Sequence, residues 1–128
     1  MAKTRTSRTS QEAFPKRGDI YLTALDPALG HEIKKTRPAL VIQNDVSNHY
    51  GMTTIVAAIT SKVSTPPYPN EVIVYPNGTG LAGISTVRLD QIRTVDRRRL
   101  IKRLGKVDAE VLRRVDGAIK ISLGLVAI

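Results

Sequence analysis

The sequence predicts a mainly β fold: a small, strongly bent β-barrel with one helix at the C-terminal end. Short β-branched runs recur between clusters of Gly, Pro, Asn and Asp through residues 19–95. Apolar residues at three- and four-residue steps are confined to the stretch after residue 108. No helical segment separates successive runs, which excludes the crossovers that a parallel α/β sheet requires.

Residues 1–15 are rich in Thr, Ser, Lys and Arg, so a flexible basic arm is expected there, with a single domain over 16–128. Residues 19–25 read as a strand with both faces partly covered, ended by the turn chemistry of Asp26-Pro27-Ala28-Leu29-Gly30. The polar, aperiodic residues 30–36 form a surface loop, and Pro38 forces Arg37 into extended geometry at the mouth of the next strand, 39–43. Residues 44–51 read as a polar connection to a strand over 53–59. Three prolines bar 64–70 from a central strand. Strands are expected at 71–75, 85–89 and 91–95, with a turn at Pro76-Asn77-Gly78-Thr79-Gly80. A brief helical turn at 97–100 precedes the amphipathic helix, in which Asp108 is the N-cap, Val111, Leu112, Val115, Ala118, Ile119 and Leu123 make the apolar stripe, and Gly124 is the stop.

The formal net charge of +9 favours a polyanionic partner, nucleic acid first. The excess is uneven: residues 1–17 carry +4 and residues 97–106 carry +6, either as a solvated face or as a nucleic-acid footprint. Zero cysteines exclude disulfides, thiolate zinc sites and thiol catalysis, and His31 and His49 are the whole supply of imidazole. No metal site and no cofactor are expected. The chain lacks an apolar run near the roughly 18 residues of a membrane helix, so a soluble, cytoplasmic protein is expected.

The chemistry-bearing candidates are few. Arg37 suits a phosphate, its planar fork matching two oxygens, or a structural ion pair with Asp45 or Glu32. Thr60-Ser61 closes a strand where hydroxyls can reach a phosphate or simply form a turn. Glu32, His31 and His49 lie in loops, as acid–base groups or solvated side chains. Asp90-Gln91 is a polar strand junction. Gly78-Thr79-Gly80 lacks the Lys-Ser/Thr ending of a phosphate loop. Aromatics are 4% of the chain, so Phe14, Tyr21, Tyr50, Tyr68 and Tyr75 are the only rings for base stacking.

Five collinear blocks then carry a resemblance: Arg17-Gly18-Asp19-Ile20-Tyr21-Leu22; Asp26-Pro27 with Gly30 and Glu32; Arg37-Pro38-Ala39-Leu40-Val41-Ile42-Gln43-Asn44-Asp45; Ala57-Ala58-Ile59-Thr60-Ser61; and Asp90-Gln91-Ile92-Arg93-Thr94-Val95-Asp96. Together they resemble the MazF/PemK toxin family. The resemblance implies the toxin of a toxin–antitoxin pair: a homodimeric, SH3-like barrel that cuts single-stranded RNA at short sequences without a metal. It implies attack of a ribose 2′-hydroxyl on the adjacent phosphate, giving a 2′,3′-cyclic phosphate and a 5′-hydroxyl. By position it assigns catalysis to Arg37 and Thr60 and RNA contacts to Glu32, Gln43, Asn44 and Ser61. An antitoxin with an acidic segment is the implied protein partner. A CcdB-like toxin that poisons gyrase and a non-enzymatic nucleic-acid-binding barrel are the alternatives. The chain departs from the family in having Tyr21 and Leu22 where a tryptophan is frequent, and in its long basic arm.

Overall fold

Strand β3, Thr53–Thr60, is the spine of the molecule and pairs on both sides. The structure, a computed structural model, describes residues 14–128, so the expected arm lies outside the described residues except for Phe14 and Pro15. The other strands are β1 (Asp19–Ala24), β2 (Thr36–Val41), β4 (Glu71–Val74), β5 (Ser85–Asp96) and β6 (Leu100–Lys106). All pairings are antiparallel, in the order β4-β5-β3-β2-β1-β6. Two helices complete it, α1 (Asp45–Tyr50) and α2 (Ala109–Ser122), with a 3-10 turn at Arg97–Arg99.

Period-two alternation divides the sheet into two apolar faces. Ile20, Leu40, Ala57, Ile59, Val87 and Leu89 face α2, where Val115 and Ala118 close the main core. Ala39, Val41, Val56 and Val95 form a smaller cluster with Tyr21 and Leu100. The C-terminal helix matches expectation closely: Asp108 caps it by accepting from Val111 N–H at 2.9 Å, and Gly124 leaves it with φ +73.

Three expectations need correction, and one strand was not expected. The sheet is open, not a closed barrel, because β4 and β6 end the strand order. The loop after β4 nonetheless packs on β6, where Lys106 N–H donates to the Gly78 carbonyl at 3.3 Å. Residues 44–51 are a capped helical turn rather than an irregular connection. The Asn44 side chain accepts from Ser47 N–H at 2.8 Å, so residues that read as turn formers serve as a cap and first turn. The strands expected at 85–89 and 91–95 are one strand with a bulge: Ala58 pairs with Arg88 but Ala57 with Ile92, leaving Leu89, Asp90 and Gln91 outside that ladder. Finally, β6 was hidden by its charges, since Lys102, Arg103 and Lys106 are exposed along an edge strand, where such charges deter pairing with other chains.

Candidate functional site

The ladder between β2 and β3 stops at Ala39–Ala58, one residue after Pro38, which has no N–H to offer. Two residues beyond that pair on either strand come Arg37 and Thr60, which by period-two alternation share the faces of Ala39 and Ala58 but are no longer paired with each other. Neighbouring strands hold both residues: Arg37 pairs with Thr23 on β1, and Thr60 with Thr86 on β5. The end of the ladder thus becomes an open cleft of about 520 Å³ lined by Arg37, Thr60, Ser61, Glu32, His31 and Lys62 together with Ile33, Lys34, Lys35 and Arg88.

The cleft is electropositive. Lys34, Lys35, Arg37, Lys62 and Arg88 meet the single carboxylate of Glu32. Arg37 is half-buried and donates Nε to the Lys34 carbonyl at 3.1 Å, and it takes part in none of the ion pairs among the described residues. Neither Asp45 nor Glu32 is therefore its structural partner. Thr60 is half-buried, and its hydroxyl accepts from Lys62 N–H at 3.2 Å, which orients the oxygen at the strand end.

The loop between β1 and β2 is held over the cleft by side chains from elsewhere. The β5 bulge turns Gln91 toward it, so that Oε1 accepts from Ile33 N–H at 3.2 Å and Nε2 donates to the His31 carbonyl at 3.4 Å. Arg93 donates to the Leu25 carbonyl at 2.6 Å, and Arg99 to the carbonyls of Ala24 and Asp26. Within the loop, Glu32 accepts from Leu29 N–H at 2.6 Å and Asp26 accepts from Lys35 N–H at 2.9 Å. Glu32 thus shapes the loop while lining the cleft.

Not every candidate meets there. Gln43 and Asn44 lie past the other end of β2 and serve α1: Gln43 Nε2 donates to Asn48 Oδ1 at 2.9 Å, and Asn44 is the cap. His49 sits against the rings of Phe14 and Tyr50, with centroids 4.7 and 4.5 Å away. Gly80 belongs to the contact with β6, where an added Cβ would stand 2.1 Å from the Leu104 carbonyl oxygen. Among the described residues no cluster of three or more His, Asp or Glu side chains could hold a metal ion.

Sequence reasoning missed Lys62 and Arg88. Arg88 is one of several charges along β5, and its carboxylate partner two residues on sits in the bulge, so alternation alone did not single it out. Asp90 accepts from Arg88 Nε at 2.8 Å and Nη2 at 2.7 Å, and those bonds hold its carboxyl below the usual aspartate range.

Comparison with known proteins places this geometry in a family. A profile described as the PemK-like, MazF-like toxin of type II toxin–antitoxin system matches residues 16–123. The chain is 41% identical over 111 residues to the Bacillus subtilis protein named Endoribonuclease EndoA, covering 87% of this chain and 96% of that one. Among solved structures, MazF (Form-I) from Deinococcus radiodurans is 31% identical with a TM-score of 0.74, covering 87% of this chain and 97% of that chain. The MazE-MazF (Form-II) crystal structure from the same organism matches at 31% identity and a TM-score of 0.69, over 88% of this chain and 98% of that chain. The match spans nearly all the described residues, and the chain belongs to the family of PemK-like, MazF-like toxins of type II toxin–antitoxin systems.

Proposed function

We propose that the chain is an endoribonuclease toxin that cuts single-stranded RNA at short sequences, without a metal, in the cleft between Arg37 and Thr60. The observation that carries this reading is that a guanidinium and a hydroxyl, from the adjoining ends of β2 and β3, line one cationic cleft. The 41% identity to a protein named an endoribonuclease supports it independently.

In this reading the RNA 2′-hydroxyl attacks the adjacent phosphorus and forms the new P–O bond. The bond to the 5′-oxygen breaks, leaving a 2′,3′-cyclic phosphate and a 5′-hydroxyl. Arg37 stabilises the charge that grows on the phosphorane oxygens, a task for which a fixed, always-charged fork suits better than an ammonium. Thr60 orients the phosphate through its hydroxyl. Of the two proton-transfer groups of the cleft, Glu32 and His31, one takes the 2′-hydroxyl proton and the other supplies a proton to the departing 5′-oxygen, and Ser61 and Glu32 add contacts to RNA. Gln43 and Asn44, about 20 Å along β2 at ~3.3 Å per residue, contact flanking nucleotides.

The toxin works in the cytoplasm as a homodimer of single domains spanning 16–128. An antitoxin neutralises it by laying an acidic segment over the same cations, in keeping with the toxin–antitoxin family and with a MazE-MazF structure among its relatives. Incubation of the purified protein with a long transcript in excess chelator tests the reading. Turnover is expected in the wild type, with Arg37→Ala and Thr60→Ala each reduced about 10²- to 10³-fold, the usual loss when one transition-state donor is removed. Intact RNA at high enzyme concentration would defeat the reading.

A further inference from the structure

Beyond Thr60 and Arg88 the cleft opens into a second cavity of about 590 Å³, and the two share Thr60, Lys62 and Arg88. Its wall is a connected chain of bonds. Asp90 takes Arg88 Nε and Nη2 with both carboxylate oxygens, at 2.8 and 2.7 Å. Glu71 lies 3.6 Å from Arg88 Nε through Oε2 and accepts Tyr68 N–H at 3.0 Å through Oε1. The Glu71 N–H returns to the Tyr68 carbonyl at 2.9 Å. The backbone that carries Tyr68, between Pro67 and Pro69, is thereby fixed, while the residue stays 65% exposed. Tyr68 is the one aromatic residue lining either cavity.

The two cavities differ in charge. The first has a clear cationic excess, whereas in the second Lys62 and Arg88 are balanced by Glu71 and Asp90. A phosphate is drawn to the first. The second suits a flat, uncharged group with hydrogen-bond acceptors, because Asp90 occupies one edge of the Arg88 fork and leaves the Nη1 donors.

Building on the ribonuclease reading above, we propose that this second cavity is the subsite for the nucleobase next to the scissile phosphate. Tyr68 is its stacking platform, and Arg88 donates to the base's acceptors, the oxo groups of uracil or the O6 and N7 of guanine. Arg88 pairs with Ala58 and Thr60 with Thr86, two residues apart on the same face of the sheet, so a base held beside Arg88 places its own phosphate at Thr60.

The test uses the full chain as wild type, Tyr68→Phe, Tyr68→Ala and Arg88→Lys. Cleavage of an RNA pool with randomised positions reads base preference. Anisotropy with 2′-deoxy oligonucleotides, which bind but lack the attacking hydroxyl, reads affinity. Tyr68→Ala should raise KM and Kd about five- to hundredfold with kcat little changed, and Tyr68→Phe should match the wild type. Arg88→Lys should flatten the preference for uracil or guanine at one position and keep it elsewhere. Unchanged KM and Kd in Tyr68→Ala, or wild-type preference at every position in Arg88→Lys, overturns the subsite. Tyr68-dependent binding without any cleavage would sink the nuclease reading and keep the subsite, and cleavage indifferent to Tyr68 would do the reverse.

Discussion

Arg37 and Thr60 owe their shared cleft to a proline. Pro38 marks where the β2–β3 ladder gives out, and the row beyond it opens instead of zipping shut. Their positions were legible in the sequence, because an Arg-Pro step before a buried strand and a hydroxyl at a strand end each have a physical reading, and both line the cleft. Arg88 was not, since its partner Asp90 sits in a bulge that period-two counting cannot register. That pair makes an acid-side prediction. Arg88's hydrogen bonds lower the Asp90 pKa in the folded state, so the stabilisation is present above the unfolded value of about 3.9 and is lost as pH falls through the lower folded value. Asp96, bonded by Arg98, is lowered to about 2 and extends the same window downward. Urea midpoints should therefore stay level from about pH 7 to 5 and drop below about pH 4. Asp90→Asn should start lower at neutral pH and lose less on acidification; an acid limb of unchanged depth in that variant would refute the assignment.

Elements were read well where a single period ruled and poorly where charge or capping masked it. Helix α2 was plain from its stripe and its Asp108 cap. Helix α1 was masked because Asn44, Asp45, Ser47 and Asn48 look like turn formers, yet Asn48 is buried and bonded to the Gln43 carbonyl and the Thr54 hydroxyl at 3.0 and 2.7 Å. Strand β6 lay inside the basic run 97–106, whose charges hid its pairing. Its attachment to the rest of the sheet is tight on both sides: β1 pairs with it, and at Gly105 an added Cβ would lie 2.5 Å from the Thr79 carbonyl group, where only backbone could yield. Gly105→Ala should therefore cost about 3 kcal/mol of stability, read as a lowered urea midpoint. A midpoint within error of the wild type would show that the loop after β4 does not bear on β6.

At the scale of the whole molecule, the +9 charge is less of a patch than the sequence suggests. In the run expected to be most basic, Arg97 donates to the Gly51 carbonyl at 2.9 Å, Arg98 pairs with Asp96, and Arg99 holds the β1–β2 loop. Arg97 and Arg99 thus tie down loops, while Arg103 pairs with Asp19 at 3.2 Å. Among the described residues, the cations that line the cleft without a carboxylate partner are Lys34, Lys35, Arg37 and Lys62. If RNA engages about four such charges, its affinity should fall with log salt at a slope of about −3, at roughly −0.7 per phosphate. A slope twice as steep would bring the β6 edge or the arm into the interface. The most direct check of the central claim is the chemistry of the cut ends. Mapping transcripts cleaved by the wild type should give 2′,3′-cyclic phosphate and 5′-hydroxyl termini, with both products reduced by orders of magnitude in Arg37→Ala and Thr60→Ala; 5′-phosphate termini, or undiminished cutting by either variant, would contradict it.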